Sequence, residues 1–295
     1  MKGIVLAGGS GTRLSPLTKV TSKQLLAIYD RPMIYFPLST LMLAGIREIL
    51  IISTPVDTPR FEALLGDGSQ FGISLSYKVQ PSPDGTAQAF LLGEEFLGGE
   101  AGAMILGDNI FYGNGFRKLL RSAVENAESK GRATVFGCPV PDPERFGVVA
   151  FDENGKVTSI EEKPENPKSS CALTGLFFYP KCVTSRVKEI RPSVRGELEN
   201  TSLIEMYLEE GLLDAEVLER DFAWLDIGTM DSLLQAALIV QSRQRTTLSA
   251  PEEIAFINGF IGKEKLLESA RAYGNNPYGA HLLAVAQGKV RPEEV

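Results

Sequence analysis

Short apolar runs alternate with longer amphipathic stretches through the first half of the chain. The runs at Gly3–Ala7, Glu48–Ser53, Leu75–Val79, Ala103–Leu106 and Ala133–Gly137 predict strands. Between them, helices are predicted at Tyr35–Ala44, Arg60–Leu65, Thr86–Phe96 and Gly115–Lys130, the last with an apolar stripe through Phe116, Leu119, Leu120 and Val124. Gly45, Gly66, Gly98 and Gly131 lie just past these segments, where a helix C-terminal cap is expected. This alternation predicts an α/β fold, a doubly wound, mainly parallel mixed sheet flanked by helices. Such sheets bind ligands beyond the carboxyl ends of their strands.

The pattern then changes. GVVAFDENGKVTSIEEKP is two alternating runs around Asn154-Gly155, a strong hairpin signal. Ala172–Tyr179 predicts another strand, Ser202-x-x-Glu205 a capping box opening a helix, and Phe222–Leu225 a return to strand. Beyond Thr229 the chain is expected to be helical to the end, with breaks at Pro251 and Pro277. The tail's apolar positions, among them Phe256, Ile257, Phe260, Ile261, Leu266 and Leu267, suit packing on the core, a subunit contact, or both.

The first strand runs into Gly8-Gly9-Ser10-Gly11, with Arg13 and Lys23 close behind. Glycines let successive N–H groups converge on one object, and such a nest binds an anion, usually phosphate. Two cations suggest more than one phosphate. The Walker pattern is absent, and the dinucleotide fingerprint lacks its third glycine, because Leu14 stands there. Asp30 does lie about 20 residues on, where a ribose-binding acid would fall, but Pro16 interrupts the intervening segment. Asp108 ends the run Ala-Met-Ile-Leu-Gly-Asp, and Asp226 sits in Trp-Leu-Asp-Ile-Gly-Thr. Each acid suits either a metal ligand or a local turn.

Bulk numbers narrow the field. A chain of 295 residues, 43% hydrophobic and 23% charged, is ordinary for a soluble enzyme. The apolar runs fall short of the ~18 residues a membrane span needs, and the N-terminus reads as strand into turn, not as a signal peptide. The net charge of −7 argues against nucleic acid or an anionic membrane as partner. The single histidine, His281, lies in the tail, which argues against a histidine triad or metal site. Cys138, Cys171 and Cys182 lack zinc-type spacing and fit reduced thiols in a cytoplasmic protein.

GGSGTRL, then Pro-Leu-Thr, then Lys-Gln-Leu-Leu, resembles the signature of the sugar-nucleotide pyrophosphorylases, specifically their short bacterial thymidylyltransferase type. The similarity covers nearly the whole chain through RPMIYFPLSTLMLAGIREILIIST, LLGDGSQFG, VQPSPDG, LGDNIFYG, DPERFGVV, IEEKP, RGELE, FAWLDIGT and PEEIA, in that order. The resemblance implies a Rossmann-like nucleotide-diphospho-sugar transferase domain over residues 1–240. Its nucleotide-binding half would be about 1–138 and its sugar-binding half, with the β-hairpin, about 139–240. Residues 241–295 would form a helical appendage. It further implies nucleotidyl transfer from dTTP to glucose 1-phosphate, Mg²⁺ as cofactor, a homotetramer, and a place at the start of dTDP-L-rhamnose or other deoxysugar synthesis.

Residue by residue, Asp108 and Asp226 match the family's magnesium ligands, Arg13 the contact to the β/γ-phosphates and leaving pyrophosphate, and Lys23 the contact to the reacting phosphates. Gly8, Gly9, Gly11 and Thr12 should contact the nucleotide, Gln24 its sugar ring, and Gln80 and Gly85 the thymine. Asn109, Gly147, Glu162, Lys163 and Leu173 match positions that contact the hexose or its phosphate, with Trp224 as an apolar wall. The chain departs from the family pattern at Thr86, Phe146, Cys171, Leu173, Asn200, Ile204, Ile227 and Met230. None of these removes a phosphate or metal ligand; they bear on sugar and base selectivity. Competing functions are a UTP- or other-hexose-using enzyme of the same family, a non-catalytic regulatory subunit, and a nicotinamide dehydrogenase, which Leu14 disfavours.

Overall fold

A computed structural model describes residues 1–218, 222–242 and 250–290. The first apolar run is β1 (Lys2–Ala7); after a loop of 3-10 turns, a hairpin of β2 (Ala27–Ile28) and β3 (Arg31–Pro32) leads into α1 (Tyr35–Leu43). Then come β4 (Glu48–Ser53), α2 (Thr58–Leu65), β5 (Ser74–Val79), α3 (Gln88–Leu92), α4 (Glu94–Leu97) and β6 (Gly102–Leu106). The middle of the chain forms β7 (Asn109–Tyr112), α5 (Phe116–Ser129), β8 (Ala133–Pro139), β9 (Gly147–Phe151), β10 (Val157–Glu162) and β11 (Cys171–Tyr179). Next are α6 (Val183–Val187), α7 (Asn200–Glu209), β12 (Leu213–Val217), β13 (Ala223–Asp226) and α8 (Met230–Ser242). Three helices, α9 (Pro251–Ile257), α10 (Lys263–Ala272) and α11 (Pro277–Ala286), follow.

Strands β6-β1-β4-β5 lie side by side and parallel. The chain steps outward from β1 to β4 and β5, then returns to β6 on the other flank of β1. The carboxyl ends of β1 and β6 therefore frame a topological switch point, where open α/β sheets take their ligands. Beyond β6 the sheet turns antiparallel: β11 pairs with β6, β8 and β9, and β10 pairs with β9, while β12 joins β8 in parallel. The mixed, doubly wound α/β architecture follows the expectation. Alternate residues of β1 enter opposite cores: Val5 and Ala7 belong to the cluster of α1 and the C-terminal helices, Ile4 and Leu6 to the cluster of Phe90 and Leu203. Burial on both faces explains why this strand is continuously apolar. A smaller cluster, including Ile28, Phe36, Ile110, Ile227 and Val240, holds β7 and α8 to the β2–β3 hairpin.

Two local expectations are corrected, and one strand is added. The helix expected over Thr86–Phe96 is two short helices separated by Gly93. A Cβ at Gly93 would lie 2.9 Å from Ile4 Cδ1, so the bare backbone there lets the segment seat against β1. Ser202 and Glu205 do not cap α7; they lie inside it, and Glu199 is its N-cap. Tertiary anchoring sets this start, because Leu198 N–H donates to the Asp84 carbonyl (2.7 Å) and the Leu198 carbonyl accepts from Ala87 N–H (3.0 Å). Residues 109–112, which no predicted strand covers, form β7 by pairing with β13, Asn109 opposite Asp226.

The tail packs on the core: Ile254, Leu266 and Leu282 are buried in the cluster that contains α1. Buried Glu252 accepts from the Tyr273 and Tyr278 hydroxyls, each at 2.6 Å, and Glu253 meets His281 Nε2 at 2.7 Å. The only histidine thus serves the tail's own packing. Residues 243–249 and 291–295 of the expected helical tail lie outside the described residues. Among the described residues, no helix is long and apolar enough to cross a membrane.

Candidate active site

The loop after β1 is braced from beneath. Gly9 (φ 92°) and Gly11 (φ 57°) adopt left-handed backbone that side chains disfavour. Thr18 Oγ1 donates to the Gly11 carbonyl at 2.8 Å. Gln24, 1% exposed, donates from Nε2 to the Gly8 carbonyl at 3.3 Å and accepts from the Ser22 hydroxyl. The segment carrying Lys23 therefore folds back under the glycines. Arg13, in the first 3-10 turn, reaches toward the strand that bears Asp226. Its guanidinium lies against Gly228, where an added Cβ would come within 2.7 Å.

The two acids meet at the switch point. Gly107 follows β6 so tightly that a Cβ would lie 2.9 Å from Gln24 Cγ and 3.1 Å from the Leu6 carbonyl. Asp108 comes next, buried, with Lys23 Nζ donating to its carboxylate. The Ile227 N–H donates to the Asp108 carbonyl at 3.1 Å, which ties the residue after Asp226 to the first acid. Burial, and then the charge of Asp108, push the Asp226 carboxyl up to about 6, against the pull of Lys23, Arg13 and Arg145. Among the described residues no cluster of three or more His, Cys, Asp or Glu side chains could hold a metal ion, so this pair stands without a third protein ligand.

Asn109 joins this centre to its surroundings. Its Oδ1 accepts from Gly175 N–H (2.9 Å) and Trp224 Nε1 (2.6 Å), and its Nδ2 donates to Asp108 Oδ1 (3.0 Å). β11 shifts register between Leu173 and Phe177, and the Gly175 N–H inside that irregularity finds its acceptor in Asn109.

Two cavities adjoin here. One, about 240 Å³, is lined by Gly8, Gly9, Lys23, Gln24, Gln80, Gly85 and Asp108. The other, about 380 Å³, is lined by Arg13, Asn109, Gly147, Glu162, Lys163, Leu173, Trp224 and Asp226. Thr86, Leu106 and Glu197 belong to both. Of the residues singled out from sequence, Gly11 and Thr12 line neither; Gly11 shapes the loop, and Thr12 begins its 3-10 turn. Arg13 borders the larger cavity. Gly85 (φ 112°) leaves no room for a side chain, since a Cβ would run into the Leu198 backbone. Gly147 lets Thr201 and Leu173 close in, at 2.9 and 3.1 Å from a would-be Cβ.

Sequence reasoning assigned no role to several residues of the larger cavity. Arg195 Nη2 donates to Glu162 Oε1 at 3.0 Å and to Glu199 Oε1 at 2.7 Å, while Thr201 donates to Glu162 Oε2 at 3.1 Å. With Lys163 Nζ 3.4 Å from Glu162, that carboxylate is held by three neighbours. Arg145 lies over the Phe146 ring at 5.3 Å, and Phe146 packs edge-on against Trp224 at 5.1 Å. Arg13, Arg145, Lys163 and Arg195 thus gather four cations around one opening on an acidic protein. The signal for Arg195 was present in Arg-Gly-Glu-Leu-Glu, a cation with acids two and four residues on and a turn at Gly196 (φ 77°).

A glycine-rich phosphate cradle, paired acids and a cation-rimmed second cavity at one switch point suit an enzyme that joins two phosphorylated substrates. The model of the nucleotidyl transferase family matches residues 2–243, and this chain belongs to that family. It is similar to the glucose-1-phosphate thymidylyltransferase of Neisseria meningitidis serogroup A, with 56% identity over 286 residues, 96% of this chain and 98% of that one. It is also similar to the enzyme of that name from Mycobacterium tuberculosis, with 48% identity over 290 residues, 97% of this chain and 99% of the other. Among solved structures, a Bacillus anthracis protein assigned as a glucose-1-phosphate thymidylyltransferase, in complex with sucrose, superposes with a TM-score of 0.75 at 42% identity. That match covers 82% of this chain and 95% of that one. A UDP-glucose pyrophosphorylase complexed with UDP-glucose shares the fold at a TM-score of 0.70 and 22% identity, over 82% of this chain and 98% of that one.

Proposed function

We propose that this chain is a glucose-1-phosphate thymidylyltransferase. It transfers the thymidylyl group of dTTP to α-D-glucose 1-phosphate, giving dTDP-glucose and pyrophosphate at the head of deoxysugar synthesis such as dTDP-L-rhamnose. The observation that carries this reading is the meeting of Lys23, Arg13, Asp108 and Asp226 where the two cavities adjoin.

A phosphate oxygen of the hexose phosphate attacks the α-phosphorus. A new P–O bond forms, the bond to the β-phosphate oxygen breaks, and pyrophosphate departs with the electron pair. The nucleophile is already an anion, so no side chain has to remove a proton. That fits a site whose cavities are lined by no histidine. The obstacle is repulsion between two anions, and positioned charge answers it. Lys23 holds the reacting phosphates, and Arg13 receives the leaving pyrophosphate. Gly8 and Gly9 cradle the nucleotide in a loop that Gly11 and Thr12 shape, Gln24 braces the loop beneath its sugar, and Gln80 and Gly85 face the base. Glu162 accepts from hexose hydroxyls, with Asn109, Gly147 and Leu173 around the ring and Trp224 as its wall. Lys163 pairs with the sugar phosphate, and Arg195 adds a second cation to that side.

Mg²⁺ fits Asp108 and Asp226. Their oxygens are hard donors, and this ion needs only one or two carboxylates beside waters and substrate phosphates. Burial first, and then the charge of Asp108, raise the Asp226 carboxyl, and a bound cation would favour its ionised form against both. When bound, the ion neutralises charge on the phosphates under attack. A homotetramer belongs to this reading; the stripe of exposed Met230, Leu234 and Leu238 on α8 supports contacts between subunits.

UTP and other hexose 1-phosphates remain the sister reading, since one methyl group on the base is worth only about 1–3 kcal/mol of discrimination. A regulatory subunit would be expected to lack a cation or an acid at this centre, and all four are present. Pyrophosphate release measured across the common nucleoside triphosphates and several hexose 1-phosphates tests the proposal. The expected preference is dTTP with glucose 1-phosphate, and no turnover with any pair would refute it.

A further inference from the structure

Beyond β5, three side chains form a hydrogen-bonded chain with a fixed direction. An ionised carboxylate only accepts. Asp84 accepts from Gln88 Nε2 at 2.8 Å and from the Ser82 hydroxyl at 2.5 Å. That contact commits the amide nitrogen of Gln88, so its carbonyl oxygen faces Gln80 and accepts from Gln80 Nε2 at 2.7 Å. The amide nitrogen of Gln80 is thereby committed to Gln88. Its carbonyl oxygen faces the glycine loop, filling the space that a Cβ on Gly8 would take. Gln80 is buried and lines the smaller cavity together with Gly8 and Gly85. A carboxamide with oxygen and nitrogen exchanged has nearly the same shape, so packing alone does not choose between the two orientations. The carboxylate at the far end does.

We propose that Gln88 and Asp84 are positioning residues that lock Gln80 as an acceptor toward the base. This lock selects a pyrimidine imide, whose N3 carries a hydrogen, over cytosine, whose N3 is itself an acceptor. The inference rests on the reading of Gln80 as base-facing. If Gln80 were turned round, its N–H groups would favour cytosine. The selectivity of the cavity is thus set by one exposed acid acting on the base through two glutamines in series.

The test measures kcat and KM for dTTP, UTP and dCTP at saturating glucose 1-phosphate and Mg²⁺. The chains compared are the natural sequence, Gln80→Leu, Gln88→Leu and Gln88→Glu. Gln88→Leu removes the acceptor that holds Gln80. It should raise KM for dTTP about ten-fold with kcat within about two-fold, and reduce the preference for dTTP over dCTP about ten-fold or more. Gln88→Glu still presents an acceptor to Gln80 and should keep the preference, which a general disturbance of α3 would not allow. An unchanged preference in Gln88→Leu, with a collapse in Gln80→Leu, overturns the relay and leaves Gln80 as the base reader. An unchanged preference in both overturns the base-facing role as well. Should Gln88→Leu fail to fold, Asp84→Ala at its exposed position applies the same criterion: the preference falls if the relay operates and stays if it does not.

Discussion

Asn109→Ala removes the side chain on which β7, β11 and the lone tryptophan converge. Its Oδ1 takes hydrogens from Gly175 N at 2.9 Å and Trp224 Nε1 at 2.6 Å, and Asn109 itself is 1% exposed. Water therefore has poor access to either donor once the acceptor is gone. Leaving a buried donor unpaired costs roughly 1–3 kcal/mol. Two donors lose their partner, and Trp224 is only partly buried, so the expected loss of stability is about 2–4 kcal/mol. The chain has a single tryptophan, so urea unfolding followed by fluorescence reads the affected residue directly. The midpoint should fall while the slope against urea stays that of the natural chain. A loss below about 1 kcal/mol would mean that neighbouring groups or water replace the lost acceptor, and the role given to Asn109 as a joint would be wrong.

Arg13→Ala and Asp226→Ala should each lower turnover roughly 100- to 1000-fold, the usual effect of deleting one preorganised charge partner; pyrophosphate release from folded variants checks this, and near-natural rates would refute the assigned roles. Gly85→Ala should weaken dTTP binding, because φ of 112° and the Leu198 backbone leave the methyl no place; an unchanged KM for dTTP would contradict it. Burial holds the Glu252 carboxyl above its ordinary range, against the pull of the Tyr273 and Tyr278 hydroxyls and Arg31. A raised acid favours the folded state fully below its unfolded value, and that contribution is lost as pH rises through the folded one. The stability of the natural chain relative to Glu252→Gln should therefore fall as pH climbs above 4.5, as thermal melts over a pH series would show; a flat difference would contradict it.

Local signals in the sequence reached as far as local physics does. β1, β4 and α1 were legible because each is one apolar run closed by a turn, and the turn between β9 and β10 because Asn154-Gly155 is strong hairpin chemistry. Gly45, Gly98 and Gly131 take the positive φ that their places beyond helices predicted. What failed was set by partners remote in sequence. α7 starts where Leu198 bonds to Asp84, and β7 exists because β13 pairs with it. The glycine loop and both acids could be picked out from sequence, but the clasp of Arg195 and Thr201 on Glu162 needed two segments more than thirty residues apart to be folded together.

Asp108 precedes one strand of a small ribbon and Asp226 ends its partner, and that ribbon stands apart from the large sheet. During synthesis, the glycine loop, Lys23 and Asp108 leave the ribosome well before β13 does. The two acids are thus separated by more than a hundred residues of chain and meet only through the pairing of β7 with β13. A chain cut before β13 would keep the glycine loop, Lys23 and Asp108, but would lack both Asp226 and the strand that β7 pairs with.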